Sequence, residues 1–136
     1  MSAAKTKKLI EAYYAAFNAG DADGMLALIG PGFVHEVSQG AVRKGRTKFA
    51  EFLSHMNDSY REKLSDIAVM TNADGSRAAA EFKLKGKYLE TDPGLPAAKG
   101  QPYTLRVGAF FEVADGKITR VSTHYNLKDW VRQVSA

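Results

Sequence analysis

The chain has 136 residues, 45% hydrophobic and 25% charged, with no cysteine and a net charge of +4. This is the composition and length of one ordinary globular domain with its own core, and the lack of cysteine excludes disulfide scaffolds, thiolate metal sites and thiol nucleophiles. No apolar run nears the roughly 20 residues of a membrane span, and residues 1–8 are polar without a signal peptide's apolar stretch, so the expectation is a soluble, cytoplasmic protein with no membrane partner.

From Lys5 to Ala19, the residues Leu9, Ile10, Tyr13, Ala16 and Phe17 recur at three- and four-residue spacing, which predicts a helix ended by Gly20. Asp21 is a good N-cap for a short second helix carrying Met25, Leu26, Leu28 and Ile29, and Gly30-Pro31-Gly32 breaks it. Phe33 to Ser38 reads as a short strand, and Gln39 to Gly45 as a turn. The cations Arg43, Lys44, Arg46 and Lys48 lack interleaved aromatics. They read as a solvated turn entering a helix rather than a nucleic-acid surface, and no nucleic-acid partner is expected.

Thr47 to Tyr60 is the third helix, with Phe49, Phe52, Leu53, Met56 and Tyr60 on one stripe. Strands follow over Lys63–Thr71, Arg77–Glu90, Tyr103–Val113 and Ile118–Asn126, with hairpin turns at Asn72–Gly75 and Ala114–Lys117. Lys83, Lys85 and Lys87 alternate with Phe82, Leu84 and Tyr88, the mark of a solvated sheet face or a protected edge. Thr91–Pro102 is a loop, flap or rim, and Leu127–Val134 a terminal helical turn. Helices packed on one face of an antiparallel sheet make an α+β domain, and a curved sheet of this kind leaves a concave ligand pocket.

The stretch Tyr13-Tyr14-Ala15-Ala16-Phe17-Asn18-Ala19-Gly20-Asp21-Ala22-Asp23-Gly24 is similar to the first helix and turn of the ketosteroid isomerase and SnoaL-like polyketide cyclase group. Phe33-Val34-His35-Glu36, Gly45-Arg46 with the Phe49 helix, and the hairpin from Phe110 to Ile118 continue the likeness, which spans about Leu9 to Trp130. The resemblance implies a nuclear-transport-factor-like, cystatin-like α+β barrel: a cone-shaped curved antiparallel or mixed sheet wrapped around three helices, enclosing a cavity. It also implies a homodimer. In ketosteroid isomerases a helix tyrosine donates to the substrate oxyanion, a strand carboxylate moves the proton, and a protonated carboxyl completes the oxyanion hole. Carried over, Tyr13 matches the tyrosine and Glu36 the base, with His35 facing outward. The second carboxyl falls at Gly108, which has no side chain to donate. The polyketide cyclases instead place an aspartate after a His-Trp pair. His124-Tyr125-Asn126-Leu127-Lys128-Asp129 is similar, with Asp129 as the match and Tyr125 in place of the tryptophan.

Strand alternation puts Val34 and Glu36 on one face and Phe33, His35 and Val37 on the other. If the first lines the cavity, desolvation raises the Glu36 carboxyl toward neutrality, as a base next to a carbonyl requires; otherwise Glu36 is a surface glutamate. A bulge in the strand would turn His35 inward instead. Tyr13 is either the oxyanion donor or a core tyrosine, and Tyr14 lies about 100° further round the helix. On Tyr103–Val113 the mixed face, with Arg106 and Phe110, is assigned to the cavity. The apolar face, Leu105 to Val113, is assigned to an outer-sheet dimer contact. Arg106 would then hold a substrate oxygen. Phe52, Met56, Tyr125 and Trp130 complete the expected lining. His35, His55 and His124 lie in separate elements and form no metal motif, and no nucleotide or serine-hydrolase motif is present. Two functions stay open. One is a cofactor-free isomerase or cyclase acting on a small hydrophobic carbonyl compound. The other is a non-catalytic module of the same fold that binds a hydrophobic ligand or a protein.

Overall fold

The computed structural model describes residues 2–135. Helix α1 (Ala3–Asn18) starts where the Ser2 hydroxyl accepts from the Lys5 amide, and α2 (Ala22–Leu26) where the Asp21 carboxylate accepts from the Gly24 amide at 2.9 Å. Then come β1 (Ile29–Val37), β2 (Val42–Lys44), α3 (Arg46–Ser59), β3 (Tyr60–Thr71), β4 (Arg77–Tyr88), β5 (Gln101–Ala114), β6 (Lys117–His124) and α4 (Leu127–Ser135). None of these helices is long and apolar enough to cross a membrane.

The expected order of elements holds, with local differences. Leu28 and Ile29 lie beyond α2, and β1 runs through Gly30-Pro31-Gly32. Pro31 is tolerated because regular pairing of β1 with β6 is interrupted between Ile29 and Val34, where a missing N–H costs no ladder bond. The Gln39–Gly45 turn contains the short strand β2, paired with β1 through Val34–Lys44, His35–Arg43 and Glu36–Val42. Strand β3 begins at Tyr60, directly after α3.

The six strands form one curved, unclosed sheet in the order β2-β1-β6-β5-β4-β3. Strands β1 and β6 are parallel and every other neighbouring pair is antiparallel. Register shifts in β1, in β3 between Ser65 and Ala68, and between β5 and β6 near Val113 supply the bends that curvature needs. The edge strand β3 is capped part-way along: the Asn18 amide donates to the Leu64 carbonyl at 3.0 Å and accepts from its N–H at 2.9 Å.

Helix α1 lies across the inner face, its Tyr13 and Tyr14 rings at 6.0 and 5.9 Å from Phe111, with Tyr14 4.9 Å from Phe82. Leu105, Val107, Ala109, Phe111 and Val113 are all buried on this inner face. That reverses the expectation for β5. Burying an apolar face against helices gains about 25 cal/mol per Å² of surface removed from water, so the uniformly apolar side turns inward and the mixed side outward. The apolar face of β5 therefore belongs to the core and gives no ground for an outer dimer contact. The lysine row Lys83, Lys85 and Lys87 is solvated on the outer face of β4, which is an interior strand, not an edge.

One turn pins α1 to the β3–β4 hairpin. Thr6 Oγ1 donates to the Gly75 carbonyl at 2.6 Å, Gly75 has φ of +78°, and a Cβ at Gly75 would lie 2.4 Å from the Ser2 carbonyl oxygen. Gly75→Ala is expected to lower stability by about 3 kcal/mol, from left-handed strain plus a backbone clash, read as a fall in the urea denaturation midpoint.

Candidate functional site

A cavity of about 520 Å³ lies between the inner sheet face and the helices, within the size range of small-ligand pockets. Of the residues singled out from the sequence, Tyr13, Tyr14, Phe52, Met56, Tyr125 and Trp130 line it. Burial pushes the Tyr13 and Tyr14 phenols well above their ordinary range, so both are protonated donors. Trp130, held by α4, stands among Tyr88, Tyr103 and Tyr60 at centroid distances of 4.9, 5.8 and 6.2 Å. Helix α4 is fastened to β5 by the Gln133 amide, which accepts from Thr104 N–H and donates to Thr104 C=O, both at 2.8 Å.

Glu36 and Val34 do not face the cavity. The alternation along β1 is as expected, but the inward face is the other one. Phe33 is fully buried 4.8 Å from Phe49, and His35 and Val37 line the cavity beside it. Two aromatic or apolar residues flanking a histidine outweigh one valine and a glutamate in the competition for burial. Glu36 lies on the outer face in an ion pair with Arg120, which also approaches Glu112 at 3.5 Å.

Arg106 and Phe110 are likewise outside. Arg106 pairs with Glu81 at 3.4 Å, and Phe110 is 54% exposed, edge-on to His124. Gly108 shares that outer alternation, so its missing carboxyl has no bearing on the cavity. Asp129 is at the surface, where hydrogen bonds from Arg132 and Gln133 hold its carboxyl below the usual range. His124 faces outward beside Ser122, and His55 sits at the cavity rim, its Nε2 3.2 Å from Asp92.

Three polar groups reach the cavity that the sequence did not assign to it, although an inward His35 was an open alternative. Glu62, Gly86 and Tyr103 are register partners across β3, β4 and β5. A Cβ on Gly86 would lie 2.4 Å from Tyr103 Cζ, so only glycine lets the ring lie across β4 and donate from its hydroxyl to Glu62 Oε2 at 2.6 Å. Burial raises the Glu62 carboxyl above its ordinary range, and the Tyr103 hydrogen bond partly opposes the rise. The signal was present in the sequence: Tyr60, Glu62 and Leu64 alternate with Arg61, Lys63 and Ser65, which puts the glutamate on the less charged face. Starting the strand at Lys63 hid it.

Asp92 comes from the loop 89–100, where a loop, flap or rim was expected over Thr91–Pro102, and its Oδ2 accepts from the Tyr60 hydroxyl at 2.7 Å. Tyr88 pins that loop, accepting from Asp92 N–H at 2.8 Å and donating to the Pro96 carbonyl at 2.7 Å.

The third group is His35 with Arg43. The basic run does not act as one solvated turn. Arg46 donates to the Leu26 and Ile29 carbonyls and braces α3 against the chain entering β1, while Lys44 and Lys48 are exposed. Arg43, opposite His35 in the β1–β2 ladder, lines the cavity. His35 is 4% exposed, with its ring 5.0 Å from Phe49 and 4.5 Å from Phe52. Burial, then the Arg43 charge, pushes its pKa from 6.5 down to about 4, so it is neutral at pH 7. Among the described residues no group of three or more His, Cys, Asp or Glu side chains is arranged to hold a metal.

Two outcomes follow. Because folding lowers the His35 pKa, the unfolded chain binds more protons between pH 6.5 and about 4, and stability is lost as pH falls through that window. Relative to His35→Phe, wild type is expected to lose about 3 kcal/mol over it, measured by urea denaturation at stepped pH. Gly86→Ala is expected to expel the Tyr103 ring from its place and break its bond to Glu62, visible as a changed Tyr103 ring environment by NMR in a folded variant.

The SnoaL-like domain family matches residues 10–121. A solved structure from Pseudomonas putida KT2440, of a protein provisionally named a polyketide cyclase, is 54% identical, with 98% of each chain covered and a TM-score of 0.94. One from Xanthomonas campestris pv. campestris, provisionally named likewise, is 50% identical over 98% of this chain and 99% of its own, also at 0.94. An NTF2-like protein from Burkholderia pseudomallei K96243 shares the fold at 17% identity, with both chains fully covered and a TM-score of 0.82. No curated protein matches in sequence.

Proposed function

The chain belongs to the SnoaL-like domain family, and on that premise we propose that it is an isomerase- or cyclase-type enzyme that moves a proton next to the carbonyl of a small hydrophobic compound. The relatives provisionally named polyketide cyclases, at 54% and 50% identity, support the reaction class. The observation that carries the reading is Glu62: a carboxyl raised by burial, in an aromatic cavity, positioned by Tyr103.

Glu62 takes the proton from the carbon beside the carbonyl. The C–H electron pair becomes the enolate π bond, and the carbonyl oxygen takes the negative charge. The protonated phenol of Tyr13 donates to that oxygen, an interaction stronger in the enolate than in the ketone and therefore one that lowers the barrier. The proton on Glu62 then returns to a different carbon, which isomerises the substrate. Alternatively, the enolate carbon attacks a second carbonyl of the same molecule and the new alkoxide takes the proton, which closes a ring. A carboxyl raised above its ordinary range is a stronger base once ionised, and activity falls in acid as Glu62 is protonated.

A non-catalytic hydrophobic-ligand module is the second reading, favoured by the largely apolar lining. Proton exchange in D₂O with a panel of cyclic and aromatic ketones, followed by NMR, separates the two. Glu62→Gln is expected to lose about 10²–10⁴-fold in exchange rate with the fold intact, while Glu36→Gln keeps the wild-type rate. Undiminished exchange in folded Glu62→Gln protein overturns the role of Glu62. No exchange by wild type across the panel turns the reading to the binding module.

A further inference from the structure

The His35–Arg43 pair is polar chemistry that the proton-transfer step leaves unused. Arg43 stands on the edge strand β2 with its guanidinium carbon 4.4 Å above the Phe52 ring, and among the described residues it makes no salt bridge. A cation–π contact of this kind does not consume the guanidinium's N–H donors. Among the described residues Arg43 Nη1 is buried without a hydrogen-bond partner, and so is His35 Nδ1 on the opposing strand. Buried polar atoms are almost always paired, and although Arg43 as a whole is half-buried, its Nη1 is out of contact with water. Two adjacent orphans, one on a charged group and one on a ring 96% buried, both on residues lining the same cavity, call for a partner that carries negative charge.

We infer that Arg43 and His35 form a binding site for the carboxylate of an anionic hydrophobic substrate, a ring compound that bears an acid group as well as its reacting carbonyl. A guanidinium pairs with a planar carboxylate through two parallel N–H···O bonds. With its proton on Nδ1, a neutral His35 adds a donor without adding a charge. Phe49, Phe52, Val37 and Leu53 supply the apolar wall on which a ring lies. The sheet places this site at one border and Glu62 at the other, since β2 and β3 are its two edges and α3 runs between them, contributing Phe52 near Arg43 and His55 near Asp92. A substrate anchored by its acid group at β2 thus extends its carbonyl toward β3. The inference rests on the proton-transfer reading only for that second half; the carboxylate site stands or falls by itself.

The test is calorimetric titration with 2-naphthoate and its uncharged isostere 2-naphthamide. Wild type is expected to bind the acid roughly ten- to a hundredfold tighter, the range of a charge-assisted hydrogen bond. Arg43→Gln is expected to abolish the preference and Arg43→Lys to keep part of it, the latter also serving if the glutamine variant does not fold. Glu36→Gln, on the outer face, is expected to retain it. Equal binding of acid and amide by wild type, no measurable naphthoate binding, or a preference that survives in Arg43→Gln overturns the site. Because the ketone-exchange experiment uses uncharged probes and depends on Glu62, a failure there leaves this result untouched, and the reverse holds.

Discussion

A tyrosine ring lying over a glycine is what holds the Glu62 carboxyl in this cavity. Glu62, Gly86 and Tyr103 occupy one line across three strands, and each depends on the next. Without side-chain bulk at Gly86 the Tyr103 ring has a path to Glu62; without the Tyr103 hydroxyl the buried carboxyl would lose a hydrogen-bond donor. Trp130 packs on Tyr103 from the C-terminal helix, so the last element of the chain also holds the row in place.

Around that row the cavity follows from an unequal division of apolar surface. Strands β4 and β5 carry most of their apolar residues on one side, and the helices cover that side. Bulges bend the strands, so the helices cannot fill all of the space beneath a curved sheet, and what remains is a cavity walled by aromatic and aliphatic side chains. Its two polar borders differ in sign. Glu62 and Asp92 bring carboxyl groups at the β3 side, and Arg43 brings a guanidinium at the β2 side. Such a distribution orients an unsymmetrical molecule by charge, while the wall between gives affinity without direction.

The misplaced residues of β1 and β5 have one physical origin. Alternation in β1 and β5 is correct residue by residue, but it leaves open which face is inside. Family likeness favoured Glu36 and Arg106 for the cavity, whereas the apolar content of the opposite faces favoured His35, Leu105 and Val107, and burial follows apolar content. Asp129 failed for a different reason. The last segment is a full helix, and a helix carrying Trp130 inward turns the residue before it away by about 100°. Residues placed by helical stripes, such as Tyr13, Phe52 and Met56, were positioned correctly because their stripe and their burial agree.

By itself the sequence determined the order of helices and strands apart from the three-residue β2, the hairpin turns and the presence of one amphipathic sheet, since these depend on neighbours a few residues apart. Only the tertiary structure decided which charged groups meet the cavity. Glu62 and Tyr103 are 41 residues apart, Asp92 reaches its partner Tyr60 from a loop 32 residues away, and Arg43 enters the lining because a three-residue strand pairs it with His35. Such meetings depend on strand register and sheet curvature, and those are set by the sum of packing over the whole domain rather than by any local pattern.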